Sequence, residues 1–199
     1  MRILLIRHAN TDLLGRVLYG RMPGVHLSAE GSQQAQVLAN ALRSRYRIDE
    51  LVSSPLERAQ QTARFLADAY GIGVSLDDGV NEIDFGAWMG KPFPELIDSI
   101  EWKQYNESRD TARPPEGEFL MQVQARAWAS VQRIVARHQD TDDATAAVIT
   151  HGDVIRAMLV LLLGMPLDHI HRLEAAPASV SEILIEQGNV RVLRINQVF

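Results

Sequence analysis

Two histidines and two arginines stand where an α/β protein usually binds its ligands. Arg7 and His8 follow the apolar run that opens the chain, which is typical of a strand buried on both faces of a parallel sheet. His151 follows a second apolar run, and Arg58 lies in the first turn of a predicted helix. Since ligands bind beyond the carboxyl ends of the strands in such sheets, we expect these four side chains to meet if the two runs are neighbouring strands.

These four residue types suit one chemical task. A phosphate monoester carries nearly two negative charges, and the paired N–H donors of Arg7 and Arg58 can clamp its oxygens. A neutral His8 can attack the phosphorus in line while His151 donates a hydrogen bond to a non-bridging oxygen. The four residues therefore favour phosphoryl transfer, although His151 alone could be an ordinary satisfied histidine at a strand end.

The leaving alcohol in such a reaction needs a proton from a carboxylic acid on the opposite side. Glu82 is the best candidate for this acid, because it stands in a short polar and glycine-containing stretch, residues 81–86. The neighbouring carboxylates of Asp77, Asp78 and Asp84 are alternatives that the sequence leaves open.

Composition narrows the functional classes. The 199 residues are 46% hydrophobic and 23% charged, with a net charge of −5, which argues against a nucleic-acid partner. The chain has no cysteine, so it can form neither a disulfide nor a thiolate metal site. The apolar run at the start of the chain is too short for the core of a signal peptide. The longest apolar stretch, residues 157–163, is too short to span a membrane. We expect a cytoplasmic protein that contacts neither nucleic acid nor membrane; its oligomeric state is unreadable.

The elements that must position these residues alternate between strands and helices. Ser28 is predicted to cap a helix after a long loop, and Ser54, Pro55 and Glu57 resemble a capping box that starts a second helix ending at Gly71. The other expected elements are strands at 1–6, 50–53 and 144–150, helices at 117–138 and 153–163, and a hairpin of strands 180–186 and 190–195.

This alternation predicts an α/β fold: one three-layer domain over residues 1–199, with a mostly parallel mixed sheet flanked by helices and a C-terminal β-hairpin. The irregular segment 81–118 is rich in glycine and proline and is expected to form an inserted cap with one short helix, residues 95–105. Trp102 and Tyr105 in this segment could line a substrate pocket or pack the cap onto the core.

Five motifs in order resemble those of the histidine phosphatase superfamily, the phosphoglycerate mutase-like proteins. Residues 5–11, LIRHANT, resemble its Arg-His-Gly-Glu/Gln-Thr/Ser signature, and residues 53–63, SSPLERAQQTA, resemble its second motif. Residues 82–90, 114–118 and 148–152 are similar to its remaining three. The matches cover nearly the whole chain.

The resemblance implies that His8 is phosphorylated, that Glu82 is the proton donor, and that Arg7, Arg58 and His151 hold the phosphate. It also implies a site without metal or cofactor, and substrate contacts from a further set of residues: Asn10, Gly20, Arg21 and Gly152. Two positions depart from the signature, since Ala9 replaces glycine and Asn10 replaces Glu or Gln. Ala9 is harmless unless that position needs a positive φ, whereas Asn10 could alter substrate choice or rate.

The leading hypothesis is a metal-independent phosphatase acting on a small phosphorylated substrate. A phosphoglycerate mutase is the alternative, and a non-catalytic module that binds phosphorylated ligands is a third. The absence of a long C-terminal tail favours hydrolysis over mutase activity, because a mutase must shield its phosphoenzyme from water. Lys91, Arg109 and Arg113 could bind a second phosphate or be solvated surface charges. His169 and His171 have metal-like spacing but no third ligand pattern, so a surface or helix-end role is expected for them.

Overall fold

The computed structural model describes residues 1–141 and 143–199. Its centre is one six-stranded sheet in the order β3-β2-β4-β1-β5-β6. The strands are β1 (Arg2–Arg7), β2 (Glu50–Ser53), β3 (Val74–Leu76), β4 (Thr145–Thr150), β5 (Val180–Glu186) and β6 (Asn189–Gln197). The four strands from β3 to β1 are parallel, and β5 and β6 continue the sheet as an antiparallel hairpin. The predicted fold class is confirmed.

Strand β1 is central to the site. It pairs in parallel with β4, with Arg7 opposite Thr150, so that His8 and His151 both follow directly after the last paired residues. Its side chains alternate between two apolar clusters, with Ile3 and Leu5 in one and Leu4 and Ile6 in the other. This strand is therefore buried on both faces, as its continuous apolar run predicts.

Helices cover both faces of the sheet. The amphipathic faces of α1 (Ala29–Arg43) and α2 (Glu57–Tyr70) join the cluster that contains Leu4 and Ile6. The helices α5 (Leu120–Arg137) and α6 (Gly152–Leu162) pack on the opposite face. None of the helices among the described residues is long and apolar enough to cross a bilayer.

Segment 81–118 contributes apolar side chains to the core beside α5 and α6. It contains a 3₁₀ turn (Gly86–Trp88) and two short helices, α3 (Phe93–Leu96) and α4 (Ile100–Glu107). The prediction of one helix over 95–105 is therefore wrong, because the chain leaves α3 after Leu96 and a new helix starts at Ser99, whose side chain accepts a hydrogen bond from the Trp102 N–H. Trp102 packs edge-to-face on Trp88.

Three further differences from the sequence prediction concern local signals. Helix α2 begins at Glu57 after Leu56, and Ser54 is not its cap. The short strand β3 and a 3₁₀ helix, Leu167–Arg172, were not predicted. Both lack the periodicity that marks longer elements, and β3 is held by pairing with β2 alone. The αL glycine that ends α2, Gly71, is as predicted.

Candidate active site

The structure brings the two histidines together at the carboxyl end of the sheet. The ring centroids of His8 and His151 are 5.2 Å apart, and both side chains are almost fully buried. The Arg58 guanidinium lies between them: its Nε donates to His8 Nε2 at 3.2 Å, and one terminal nitrogen is 3.3 Å from His151 Nδ1. The convergence expected from neighbouring strand ends is thus present.

The backbone selects the nitrogen of His8 that can act as a nucleophile. Nδ1 lies 2.8 Å from the carbonyl oxygen of Ala9, which can only accept, so the ring proton is assigned to Nδ1. Nε2 is then unprotonated and accepts from Arg58. Burial, followed by the charges of Arg58 and Arg7, lowers the pKa of His8 well below its usual value. His8 is therefore a neutral base with its lone pair on Nε2.

Arg7 and Arg58 each have a buried N–H donor without a hydrogen-bond partner. Arg58 is fully buried and donates to the Gly20 carbonyl oxygen at 2.6 Å, yet its other terminal nitrogen has no partner. Arg7 donates to the carbonyl oxygen of Ala175, and its buried Nε is likewise unpartnered. Since a buried unpaired donor is costly, these atoms indicate a site that an anion completes.

Ser54 has a role that the sequence did not reveal. Its hydroxyl is buried and lies 2.7 Å from His151 Nε2, and 3.3 Å from the side-chain oxygen of Asn81. That hydroxyl donates to Asn81, and Arg58 can only donate, so the ring proton of His151 is assigned to Nε2, which donates to Ser54, while Nδ1 accepts from Arg58. Burial, followed by the charge of Arg58, lowers the pKa of His151 well below its usual value, so the ring stays neutral.

Glu82 lines the same cavity as His8 and lies beside His151. One of its carboxylate oxygens accepts from the N–H of Ile83 at 2.9 Å, and the other is 3.9 Å from His151 Nδ1. Burial, followed by repulsion from Asp153, raises the pKa of Glu82 to about 7. Glu82 can therefore hold a proton near neutral pH, as a general acid must.

The rival carboxylates have other partners. Asp77 accepts from Arg133 and from the Gly79 N–H, Asp78 is exposed, and Asp84 accepts from the Gly86 N–H. None of the three lines the cavity that His8 and Glu82 share. Asp153 does line it, and although burial opposes ionisation, Arg156 and then Arg109 lower its pKa to about 2. Among these carboxyl groups, the geometry and protonation of Glu82 suit the acid best.

The backbone of Glu82 is clamped by two arginines. Its carbonyl oxygen accepts from Arg21 Nε at 2.7 Å and from a terminal nitrogen of Arg126 at 3.0 Å. Both arginines also donate to the Glu118 carboxylate, and Arg126 donates to the Asn81 carbonyl oxygen. Arg21 was expected to contact the substrate, but in the structure it binds the loop that carries Glu82. Glu118 lies in the 114–118 motif, but no role was predicted for it. Arg126 was not singled out by the sequence, because helix α5 gives no local sign of this contact.

The other residues implied by the resemblance are placed as follows. Gly20 and Gly152 line the cavity, and Gly20 adopts φ +44° against the Phe85 ring, where a Cβ would clash. The Asn10 side chain accepts from the Thr11 N–H and donates to Glu30, and Asn10 is not part of the cavity wall. Ala9 is buried and has no positive φ, so the methyl group is accommodated.

The cavity above His8 has a volume of about 280 Å³. One wall is apolar and is formed by side chains from the loop between β1 and α1 and from the 81–118 segment: Leu14, Val17, Leu18, Phe93 and Trp102. The other wall is polar and is formed by Asn106, Arg109, Asp153, Arg156 and His171. Of the three cap cations considered from sequence, only Arg109 lines the cavity. Residues 1–141 and 143–199 contain no cluster of three or more His, Asp or Glu side chains that could hold a metal.

Residues 3–198 match the model of the histidine phosphatase superfamily, branch 1. Among curated proteins, phosphoserine phosphatase 1 of Hydrogenobacter thermophilus is 30% identical over 98% of this chain and 92% of its own. A probable phosphoglycerate mutase of an Enterobacter species is 28% identical over 92% of this chain and 84% of its own. The native structure of a mycobacterial glucosyl-3-phosphoglycerate phosphatase superposes with a TM-score of 0.88 and 27% identity, covering 98% of each chain.

Proposed function

The chain belongs to the histidine phosphatase superfamily, and from this membership we propose that it hydrolyses small phosphate monoesters through a phosphohistidine formed on His8. The observation that carries the proposal is the state of His8: neutral, with Nε2 unprotonated, inside a cavity that also holds Glu82. The unpartnered donors of Arg7 and Arg58 support a phosphate site directly beside that nitrogen.

In the first step, Arg7 and Arg58 donate to the non-bridging oxygens of the phosphate. His151 joins them once the bound phosphate selects its Nδ1–H tautomer, in which the Ser54 hydroxyl donates to Nε2. The lone pair of His8 Nε2 forms a bond to phosphorus as the bond to the ester oxygen breaks in line with it. Protonated Glu82 donates its proton to the leaving oxygen, so that the product is a neutral alcohol. The Ala9 carbonyl stabilises the positive charge on the phosphorylated ring through the Nδ1 proton.

In the second step, water replaces the alcohol. Glu82, now a carboxylate, accepts a proton from this water as its oxygen bonds to phosphorus and the bond to His8 Nε2 breaks. Inorganic phosphate leaves, and both residues return to their starting states. A carboxyl group with a pKa near neutrality can serve as acid in one step and base in the next.

Metal independence is the first test of this mechanism. In the proposed site, arginines and histidines supply the charge stabilisation that metal ions supply elsewhere. Hydrolysis of p-nitrophenyl phosphate by the purified chain is expected to be unchanged in excess EDTA. Activity that disappears with EDTA and returns with Mg²⁺ or Mn²⁺ would sink the proposal.

A mutase is the second candidate function, favoured by the likeness to a probable phosphoglycerate mutase. The test supplies 3-phosphoglycerate with a trace of 2,3-bisphosphoglycerate and measures 2-phosphoglycerate and free phosphate together. We expect phosphate release to dominate. Faster formation of 2-phosphoglycerate would overturn the hydrolase proposal and leave His8 chemistry intact.

A further inference from the structure

The peptide group that joins Glu82 to Ile83 is held at both ends. Its carbonyl oxygen accepts hydrogen bonds from Arg21 Nε at 2.7 Å and from a terminal nitrogen of Arg126 at 3.0 Å. Its N–H donates to the Glu82 carboxyl group at 2.9 Å. Because a peptide group is planar and trans, its C=O and N–H point in opposite directions. Fixing the carbonyl therefore also fixes the direction of the N–H that holds the carboxyl group.

Arg126 uses all three nitrogens of its guanidinium group around this peptide. Nη1 donates to the carbonyl oxygens of Gly79 and Asn81 at 2.9 and 2.6 Å. Nη2 donates to the Glu82 carbonyl oxygen, and Nη2 and Nε both donate to the Glu118 carboxylate. A guanidinium group presents these donors in one rigid plane. One side chain of α5 therefore fixes segment 79–82 at three carbonyl oxygens.

Glu118 joins the two arginines. Its carboxylate accepts from Arg21 at 2.8 Å and from Arg126 at 2.8 and 3.0 Å, and only 15% of its side chain is exposed. Arg21 follows Gly20, whose carbonyl oxygen accepts from Arg58. The network therefore connects the backbone of the proposed acid to the loop that contacts Arg58, one of the arginines proposed to bind the phosphate.

These three side chains affect the reaction indirectly. Arg21, Glu118 and Arg126 do not line the cavity that His8 and Glu82 share. Their contacts reach the carboxyl group of Glu82 through its own backbone. Proton transfer depends strongly on such placement, because a reacting group displaced by about 1 Å can lower a rate by on the order of 100-fold.

We propose that Arg126, Arg21 and Glu118 are positioning residues that hold the Glu82 carboxyl group in the orientation needed to protonate the leaving oxygen. This inference rests on the proposed phosphatase function, in which Glu82 is the acid. It assigns a role in the proton-transfer step to a side chain of α5 that does not touch the substrate. Loss of the clamp should therefore affect esters according to how much their leaving groups need a proton.

The test uses two esters of similar shape. Phenoxide is a stronger base than p-nitrophenoxide, so phenyl phosphate depends more on the acid than p-nitrophenyl phosphate does. The measured quantity is kcat/KM, which reports the reaction up to release of the alcohol. Arg126→Gln is expected to lower kcat/KM for phenyl phosphate by roughly tenfold more than for p-nitrophenyl phosphate. Competitive inhibition by inorganic phosphate should be nearly unchanged, because Arg7 and Arg58 remain in place.

A double variant separates positioning from a general loss of structure. If Arg126 acts through Glu82, adding Arg126→Gln to Glu82→Gln should cause little further change in kcat/KM for phenyl phosphate, because residues that act as a unit are not additive. A merely structural effect would lower kcat/KM for both esters alike, and it would add to the effect of Glu82→Gln. Either of these results overturns the proposal.

Arg21→Gln is a second variant that does not depend on the folding of Arg126→Gln, because 31% of the Arg21 side chain is exposed. It removes the other donor to the Glu82 carbonyl oxygen and should shift the ratio between the two esters in the same direction. If Arg126→Gln does not fold, an unchanged ratio in Arg21→Gln overturns the proposal by itself.

Arg133→Gln is the matched control. It removes the same charge from α5, but the Arg133 guanidinium donates to the side chains of Asp77 and Ser130, so the ratio between the esters should stay at the wild-type value. A shift in this control equal to that of Arg126→Gln overturns the proposal. A wild type that does not hydrolyse p-nitrophenyl phosphate, or a Glu82→Gln variant with an unchanged ratio, would instead refute the proposed function.

Discussion

The floor and the polar wall of the cavity are built in different ways. His8, His151 and Arg58, at the floor, follow β1 and β4 or begin α2, and their positions are set by strand register and by burial in the core. The wall is assembled from separate parts of the chain: Asn106 in α4 and Arg109 after it, Asp153 and Arg156 in α6, and His171 in the 3₁₀ helix Leu167–Arg172. Arg109 and His171 meet through their side chains. Groups that react with phosphorus need rigid placement, whereas groups that select the rest of the substrate tolerate variation.

This contrast has a kinetic consequence. A change at the floor should lower turnover of every phosphate ester, because it affects the phosphoryl group that all of them share. A change at the wall should alter the ratio between esters and leave the common chemistry in place. The following four substitutions test that division, from the largest expected effect to the smallest.

The largest effect is expected from His8→Ala. Without the nucleophile the covalent route is closed, and turnover of p-nitrophenyl phosphate should fall by on the order of 10⁴-fold or more. The acid-labile phosphoenzyme seen on rapid quenching should disappear as well. His26→Ala is the control, since His26 is exposed and contacts Gln61 outside the cavity. A trapped phosphoenzyme that survives His8→Ala would assign the nucleophile elsewhere.

Glu82→Gln should separate esters by leaving group. An alkyl phosphate needs the proton and should slow by about 10²- to 10⁴-fold, whereas p-nitrophenyl phosphate, whose leaving group is stable as an anion, should slow far less. Equal slowing of both esters would show that Glu82 is not the acid. Asp84→Asn is the control, because Asp84 is on the same loop and outside the cavity.

The raised pKa of Glu82 also fixes the pH dependence. The acid acts while protonated, so hydrolysis of an alkyl phosphate should decline as the pH rises through about 7. His8 stays neutral on the acid side of that limb, because its pKa lies well below the usual value. In Glu82→Gln the limb near pH 7 should be absent. If the rate of Glu82→Gln still declines near pH 7 as the wild-type rate does, that decline belongs to the titration of another group.

The difference between floor and wall also separates what the sequence could predict. Arg7, His8, Arg58 and His151 were found because each lies next to a strand or helix with a clear local pattern, and parallel strands bring such ends together. Arg109 and His171 are 62 residues apart and meet through tertiary packing alone, so no spacing rule joins them. The sequence left Arg109 open between a contact to a second phosphate and a solvated surface charge, and it predicted a surface or helix-end role for His171.

Ser54 illustrates a different failure. Ser54, Pro55 and Glu57 fit a capping box, and the local pattern predicted a cap. In the structure, α2 starts later and the hydroxyl faces His151, 97 residues away. The local sequence favours a helix cap at Ser54, but in the structure the same hydroxyl contacts His151 instead. Such competition is expected where functional groups depart from local rules.

Ser54→Ala should have an intermediate effect. Loss of the hydroxyl removes the hydrogen-bond partner of His151 Nε2, and turnover of all esters should fall by on the order of tenfold, as for other residues that orient an active-site histidine. The ¹⁵N shifts of His151 should report a changed tautomer. Ser53→Ala is a matched control, because that buried hydroxyl donates to the Ser54 carbonyl instead. An unchanged tautomer in Ser54→Ala would remove Ser54 from the site.

The smallest effect is expected at the apolar wall. Trp102 lines the cavity and packs on Trp88, Phe93 and Tyr105, so Trp102→Ala removes contact area from the part of the substrate beyond the phosphate. The KM for naphthyl phosphate should rise by roughly fivefold, equivalent to about 1 kcal/mol of lost contact, while kcat stays nearly constant. Trp128→Ala, in α5 and outside the cavity, is the control for lost packing. A fall in kcat for glycerol 3-phosphate and naphthyl phosphate alike would mean that the wall positions the phosphoryl group too, and the division between floor and wall would not hold.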